Sequence, residues 1–320
     1  MRVVFWGTPA FAVPTLTALV VEGHDVVGVV TQPDRPAGRG RKPRPSPVKQ
    51  AALEEGVPVL TPDRPHGAAF EAELRALRPE VNVVVAYGHI LRPEVLEIPE
   101  RGSWNVHASL LPELRGAAPI HWAIARGHEV TGVSVMRMTE GMDSGPVLLQ
   151  AEVAIEPLET STELAGRLSG IGAQALVEAM GFLEFGGVEV QEQDHARATY
   201  APKVSREVAR IDWSRSAREV VDHVRAMDAV PGAWTEWEGE PLKLFRPSPE
   251  RPDDAPDVAL QEDGGPGVVV GAAAGPGGVL AVRTGDGVAW IREVQPAGKR
   301  RMDVGSWLPG RGAATGDRFV

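Results

Sequence analysis

Two polar side chains, Asn105 and His107, are of types that suit acyl-transfer chemistry. They lie in the segment Asn105-Val106-His107-Ala108-Ser109-Leu110-Leu111-Pro112. If this segment begins as a strand, alternate side chains share a face, so the two point the same way. The amide could donate a hydrogen bond to a developing oxyanion, and the imidazole could transfer protons. On spacing alone, a hydrogen-bonded structural pair is the better interpretation.

A carboxylate, Asp143, lies in the turn-forming stretch 140–145, where two glycines permit close approach of a ligand. Beside His107 it would hold the imidazole in one tautomer and favour its protonated form. Nothing in the spacing brings them together, and an aspartate in a turn is common without such a role. We expect no metal site, because the chain has no cysteine and its histidines form no HxxxH pair.

The first half of the chain alternates buried strands with helices. Short, β-branched apolar runs predict strands at 3–6, 26–30, 81–85, 104–107 and 131–138. Helices are predicted at 10–22, at 46–56 and beyond a capping box at 160–163. Ser46 would be the N-cap of the second helix and Pro47 its first residue. This order predicts an α/β fold with a Rossmann-like, doubly wound, mostly parallel sheet, which binds ligands at the carboxyl ends of its strands.

The turn after the first strand, Gly7-Thr8-Pro9, argues against a nicotinamide cofactor. It is not the GxGxxG pattern, since Pro9 stands at the second glycine position and no third glycine follows before the helix. Proline also removes an N–H donor that would face a pyrophosphate. The fold class alone therefore does not predict a dehydrogenase.

The pattern changes after about residue 186. Residues 188–206 are typical of a polar connector, and Ser216 to Glu219 form a capping box for a helix. Short strand-like pieces separated by glycine and proline follow Pro231 and favour a small β-barrel. We therefore predict three parts: 1–187, a linker at 188–206, and a smaller barrel domain at 207–320.

The balance of 33 basic and 43 acidic residues gives a net charge of −10, which disfavours a nucleic-acid partner for the surface as a whole. Two basic clusters stand out against it. Residues 35–49 contain no acidic residue, and 299–301 is the run Lys299-Arg300-Arg301. Either cluster alone is better explained as a solvated face, but together they suggest a polyanionic partner. Because no apolar run spans a bilayer and the start lacks a signal-peptide layout, we expect a cytoplasmic protein with no membrane association.

An ordered set of motifs resembles the methionyl-tRNA formyltransferase family nearly end to end. The matching segments are Phe5 to Ala12, Thr31 to Gly40, Ala86 to Leu91, Asn105 to Pro112, Arg115 to Ile120, Gly141 to Gly145, Ala209 to Trp213 and Gln295 to Arg300. The resemblance implies transfer of a formyl group from 10-formyltetrahydrofolate, acting as a cosubstrate, to the α-amino group of methionine on initiator tRNA. It makes 1–187 the catalytic domain and 207–320 an OB-like tRNA-binding domain.

The same resemblance assigns roles residue by residue. The catalytic positions are those of Asn105, His107 and Asp143. Folate-binding positions are those of Tyr87, Gly88, Ile90, Leu91, Ser109, Leu110, Leu111 and Pro112. The tRNA-binding residues are expected to be Arg35, Arg39, Arg41, Lys42, Arg44, Lys203, Lys299 and Arg300. We expect a monomer that acts by direct amine attack, with a cis bond between Leu111 and Pro112.

Three alternatives stay open. A folate-dependent formyltransferase acting on a sugar or nucleotide amine would use the same catalytic set. A formylfolate hydrolase would use water in place of the amine, and an RNA-binding module could keep an inactive first domain. The basic stretch 35–49 and the C-terminal domain favour the tRNA substrate, because a small acceptor needs neither.

Overall fold

The structure is a computed structural model that describes residues 1–37, 42–186, 189–262, 264–310 and 312–320. Its contacts divide the chain into two compact units. The first consists of Met1–Pro119, Val130–Ala154 and Ala165–Pro202, and the second of Ile120–Glu129, Ile155–Leu164 and Lys203–Val320. Two short segments of the first half thus belong to the second unit, which the sequence did not indicate. No helix in the described part of the chain is both long and apolar enough to cross a membrane.

The first unit is built around a mostly parallel sheet, as predicted. Its strands are β1 (Arg2–Gly7), β2 (Asp25–Val30), β3 (Arg35–Ala37), β4 (Lys42–Arg44), β5 (Val59–Leu60), β6 (Val81–Val85), β7 (Ser103–His107), β8 (Val130–Arg137) and β9 (Val147–Ala154). Seven of the described strands form one sheet in the order β5-β2-β1-β6-β7-β8-β9. The four pairs β5–β2, β2–β1, β1–β6 and β6–β7 are parallel. The pairs β7–β8 and β8–β9 are antiparallel. The hairpin β3–β4 stands apart from this sheet.

Six of the described helices alternate with these strands, and two of them begin at the caps that the sequence predicts, Ser46 and Thr160. They are α1 (Val13–Val21), α2 (Pro47–Glu54), α3 (Ala68–Ala76), α4 (Pro93–Leu96), α5 (Pro119–Ala125) and α6 (Ser161–Phe185). The Ser46 side chain caps α2 by accepting from the backbone N–H of Lys49, and Thr160 and Glu163 form the capping box before α6. The predicted helix at 10–22 is split: Ala10–Ala12 is a 3₁₀ turn, and α1 follows it.

The second unit contains an antiparallel β domain. Its strands are β10 (Trp234–Trp237), β11 (Glu240–Ser248), β12 (Val269–Ala273), β13 (Val279–Arg283), β14 (Val288–Pro296) and β15 (Met302–Asp303), and its helices include α7 (Ala217–Ala226) and α8 (Val304–Trp307). The strand order is β10-β11-β14-β13-β12, with β15 paired to β14. The predicted capping box of Ser216 and Glu219 opens α7. The second half is therefore the smaller antiparallel β domain that the sequence predicts.

A buried polar network ties together the three strands at the centre of the first sheet. Asn82 on β6 accepts a hydrogen bond from the Trp6 indole at 3.1 Å and donates to the Ser103 hydroxyl at 3.0 Å. Ser103 in turn donates to the Leu96 carbonyl at 2.9 Å. The side chains of Trp6, Asn82 and Ser103 are all buried, where no solvent can replace a lost partner. The Trp6 N–H therefore depends on Asn82 for its hydrogen bond.

We predict that Asn82→Leu lowers the free energy of unfolding by about 2 kcal/mol, because it leaves the buried Trp6 N–H without a partner. Denaturant unfolding measures the change. Thr131→Val is the matched control, since the buried Thr131 hydroxyl has no hydrogen-bond partner among the described residues. Its removal should leave stability unchanged or raise it. Equal losses in the two variants would contradict the importance of the network.

Candidate functional site

Asn105 and His107 lie at the carboxyl end of β7, where the parallel part of the sheet presents its ligand-binding edge. They are alternate residues of one strand and therefore share a face. Asn105 is half-buried, whereas only 6% of His107 is exposed. The strand register sets Asn105 opposite Met136 and His107 opposite Ser134 on β8.

Both ring nitrogens of His107 face an oxygen atom. Nε2 lies 3.0 Å from the Leu114 carbonyl oxygen, and Nδ1 lies 3.7 Å from Oδ2 of Asp143. Because a carbonyl oxygen only accepts hydrogen bonds, Nε2 must carry the hydrogen of the first contact. Nδ1, beside the carboxylate, is then the nitrogen that is left to bind or release a proton. The structure thus brings together two predicted residues that are far apart in the sequence.

The turn that carries Asp143 is fixed by its backbone and its glycines. Asp143 has a φ of +47°, and its Oδ2 accepts a hydrogen bond from the Gly116 N–H at 2.8 Å. At Gly145 a Cβ atom would lie 2.0 Å from the Arg137 carbonyl oxygen, so only glycine fits there. The same carboxylate oxygen, Oδ2, therefore accepts from a backbone donor and faces the imidazole.

Two polar side chains missed by sequence reasoning hold the loop after β7. Ser134 on β8 donates to the Ser109 carbonyl at 2.7 Å and accepts from the Leu111 N–H at 3.0 Å. Gln150 on β9 donates to the Leu111 carbonyl at 2.9 Å. A serine inside an otherwise apolar strand was the available signal. The Leu111–Pro112 bond is cis, as predicted.

The loop at 87–91 follows β6 at the same edge of the sheet. The Tyr87 and Leu91 side chains are buried in the core, where Tyr87 packs edge-on against Trp6 at 5.3 Å between ring centroids. Ile90, in contrast, is 81% exposed. Gly88, His89 and Ile90 line an open groove of about 600 Å³ together with residues 63–66 and Arg92. Among these loop residues, His89 and Ile90 are exposed and accessible to a ligand, whereas the Tyr87 ring is buried.

The residues of the loop after β7 differ in accessibility. Ser109 and Leu111 are buried, and Leu110 and Pro112 are half-buried. The Ser109 hydroxyl is engaged with the Glu113 carbonyl at 2.7 Å.

The predicted basic residues are exposed wherever the structure describes their side chains. Arg35 and Arg44 lie directly opposite each other in the hairpin β3–β4, and the backbone of Lys42 belongs to β4. Arg39 and Arg41 lie outside the described residues. In the second unit the exposed basic residues from the prediction are Lys203, Lys299 and Arg300.

A site for a metal ion is not evident in the described ranges, which contain no cluster of three or more potential ligands. The chemistry available at β7 is instead that of a hydrogen-bond-donating amide beside an imidazole and a carboxylate.

Comparison with known proteins identifies the family. Residues 1–180 match the model of the formyl transferase family, and residues 203–312 match that of the formyl transferase C-terminal domain. Methionyl-tRNA formyltransferases from Acidobacterium capsulatum and Heliobacterium modesticaldum are each 46% identical to this chain. The alignments cover the whole of this chain and 99% and 100%, respectively, of the two relatives. The chain belongs to the methionyl-tRNA formyltransferase family.

Two solved structures share the fold of this chain. A methionyl-tRNA formyltransferase from Clostridium thermocellum aligns with 78% of this chain and 93% of its own at a TM-score of 0.57 and 16% identity. HypX from Aquifex aeolicus, solved with tetrahydrofolic acid, aligns with 97% of this chain at a TM-score of 0.67 and 19% identity. This chain spans about half the length of HypX, namely 47%.

Burial raises the pKa of the Tyr87 phenol to about 12, since ionisation would place a charge in the core. The chain has one other tyrosine, Tyr200, so a Tyr200→Phe variant isolates the Tyr87 signal. We predict a spectrophotometric titration midpoint near that raised value. We also expect Tyr87→Phe to leave thermal stability unchanged, because the phenol has no hydrogen-bond partner among the described residues. An ordinary midpoint would show that the ring is accessible to solvent.

Proposed function

We propose that this chain transfers the formyl group of 10-formyltetrahydrofolate to the α-amino group of methionine esterified to initiator tRNA. The observation that carries the proposal is the approach of Asp143 to His107 beside Asn105, at the ligand-binding edge of the sheet. An amide, an imidazole and a carboxylate are the groups that formyl transfer to an amine requires. Full-length similarity to methionyl-tRNA formyltransferases supports the choice of acceptor.

In the proposed mechanism, Asn105 stabilises negative charge. The amine attacks the formyl carbon, and electrons move onto the formyl oxygen as the new C–N bond forms. The Asn105 side-chain amide donates a hydrogen bond to that oxygen at the end of β7. The electron pair on that oxygen then re-forms the C=O double bond, and the bond between the formyl carbon and N10 of the folate breaks with its electrons moving to N10.

His107 and Asp143 move the proton in the same proposal. The attacking amine must lose a proton and N10 must gain one, so the transfer is balanced without another reactant. Nε2 of His107 is occupied by the Leu114 carbonyl, which leaves Nδ1 as the exchanging nitrogen. Asp143, 3.7 Å from Nδ1, stabilises the ring while it holds the proton. In hydrolytic triads the carboxylate contacts one ring nitrogen and the other nitrogen exchanges the proton with the substrate. The present arrangement differs, because the nitrogen that faces Asp143 is also the one proposed to exchange the proton.

We propose that the formylated folate binds beside the loops at 87–91 and 109–112. The groove along Gly88 and Ile90, of about 600 Å³, is large enough for a ligand of this size. The exposed Ile90 side chain offers an apolar contact, and the fixed backbone at 109–112 offers hydrogen-bonding groups. Tyr87 and Leu91 would contribute by shaping the loop from the core rather than by touching the ligand.

We further propose that the basic residues bind tRNA phosphates. Like charges opposite each other destabilise a strand pair, yet Arg35 and Arg44 face each other in β3–β4, an arrangement that suits an anionic partner. Lys203, Lys299 and Arg300 would extend the contact on the C-terminal domain, which we propose to be OB-like. We propose a cytoplasmic monomer, in keeping with a translation substrate.

We expect the wild-type protein to formylate methionyl initiator tRNA when 10-formyltetrahydrofolate is supplied. Asn105→Ala should lower the single-turnover rate by about 100- to 1000-fold, because it removes an oxyanion donor, while tRNA affinity stays unchanged. Charged elongator tRNA and an amino-sugar nucleotide are the alternative acceptors to test. Faster transfer to the amino sugar would establish the second candidate, and folate hydrolysis without any acceptor would establish the hydrolase.

A second prediction concerns the hairpin. Arg44→Ala should raise the KM for tRNA severalfold with little change in kcat, because it removes a phosphate contact rather than a catalytic group. Wild-type affinity should fall steeply between about 50 and about 200 mM salt, and the variant should show a shallower slope. Arg75→Ala, at an exposed arginine of α3 outside the proposed folate groove, is the control. Equal salt slopes for wild type and Arg44→Ala would remove this residue from the interface.

A further inference from the structure

A glutamine in the predicted linker, Gln193, is buried against the turn that carries Asp143. Only 7% of the residue is exposed, although its chain neighbours Glu192 and Asp194 are on the surface. Its side-chain nitrogen donates to the Asp143 carbonyl at 3.0 Å and to the Gly145 carbonyl at 2.6 Å. Both hydrogens of one amide group therefore hold the backbone on either side of Ser144.

The other end of the Gln193 side chain is fixed by a buried arginine. Its Oε1 accepts from Nε and Nη2 of Arg115 at 3.1 and 2.6 Å. Arg115 is only 4% exposed, and its Nη2 also contacts Nδ1 of His195 at 2.9 Å. Because a guanidinium only donates, it fixes which end of the amide is oxygen and so directs the two N–H groups toward the turn.

The Gln193 amide thereby links the two segments that hold the imidazole. On one side it holds Asp143, which has a positive φ that is uncommon for a non-glycine residue. On the other it contacts Arg115, whose chain neighbours Leu114 and Gly116 supply the carbonyl for His107 and the N–H for Asp143. Loss of this link would let the carboxylate move relative to the ring.

We propose that Gln193 is a positioning residue for formyl transfer, which sets Asp143 against His107 without touching a substrate. The rate effect rests on the proposed function, whereas the structural effect on His107 does not. The backbone around the residue supports the assignment, since Gln191 pairs with Val147 through two hydrogen bonds of 2.8 Å. The same segment continues to Thr199, whose hydroxyl accepts from the Leu114 N–H at 2.8 Å.

The test replaces Gln193 by methionine, which keeps the length of the side chain and removes its hydrogen bonds. We expect kcat to fall by about tenfold or more, because the two hydrogen bonds to the Asp143 turn are lost along with the two from Arg115, with both KM values within about twofold. The ring ¹⁵N chemical shifts of His107 should change in the free protein. Glu192→Ala, at the exposed neighbour, should change neither measurement.

A double-mutant cycle separates positioning from general stability. In an Asp143→Asn background, Gln193→Met should lower kcat by less than about a further threefold, because its effect on catalysis passes through the Asp143 carboxylate. A full additional tenfold loss, or unchanged kcat and unchanged His107 shifts in Gln193→Met, would overturn the proposal. Should Gln193→Met fail to fold, Gln193→Glu keeps the Arg115 contact, loses both donated bonds, and is expected to show the same loss of kcat. If wild type formylates no tRNA, the proposed function fails, and the His107 shifts still decide the role of Gln193.

Discussion

The arrangement of the site depends on how one imidazole ring is held. Nε2 of His107 is 3.0 Å from the Leu114 carbonyl and Nδ1 is 3.7 Å from the Asp143 carboxylate, so the ring has one nitrogen fixed and one available. A single hydrogen bond contributes only about 1 kcal/mol net, which is too little to hold a ring against thermal motion. Rigidity must come from the segments that carry the two oxygen atoms.

Those segments are tied to the sheet and to each other at several points. Ser134 holds the loop after β7 from the neighbouring strand, and the Gly116 N–H holds the Asp143 carboxylate. Because Gly145 has no side chain, the turn can lie directly against the Arg137 carbonyl at the end of β8. The proposed catalytic side chains thus lie on one strand and on one braced turn, and preorganisation of this kind lowers the barrier to a reaction that develops charge.

Local patterns in the sequence were sufficient for much of the fold. Apolar runs located five of the seven described strands of the first sheet but not the edge strands β5 and β9, and Ser46 and Ser216 marked helix starts through hydrogen bonds to nearby residues. The contacts of Leu114 and Gly116 were beyond such reasoning, because backbone groups leave no signal in residue type. Gln193 was assigned to a polar linker, since its burial depends on a distant turn. For the catalytic trio, residue types pointed to acyl transfer, but their convergence had to come from tertiary structure.

The most direct measurement is a crystal structure of the protein with 10-formyl-5,8-dideazafolate, a stable analogue of the donor that carries its formyl group on N10. We predict the bicyclic ring in the groove beside Ile90, the formyl oxygen within hydrogen-bonding distance of the Asn105 side-chain nitrogen, and N10 on the Nδ1 side of His107. A folate bound away from β7, or one whose formyl group approaches Nε2 after the Leu114 contact is broken, would contradict the central claim that the fixed ring works through Nδ1.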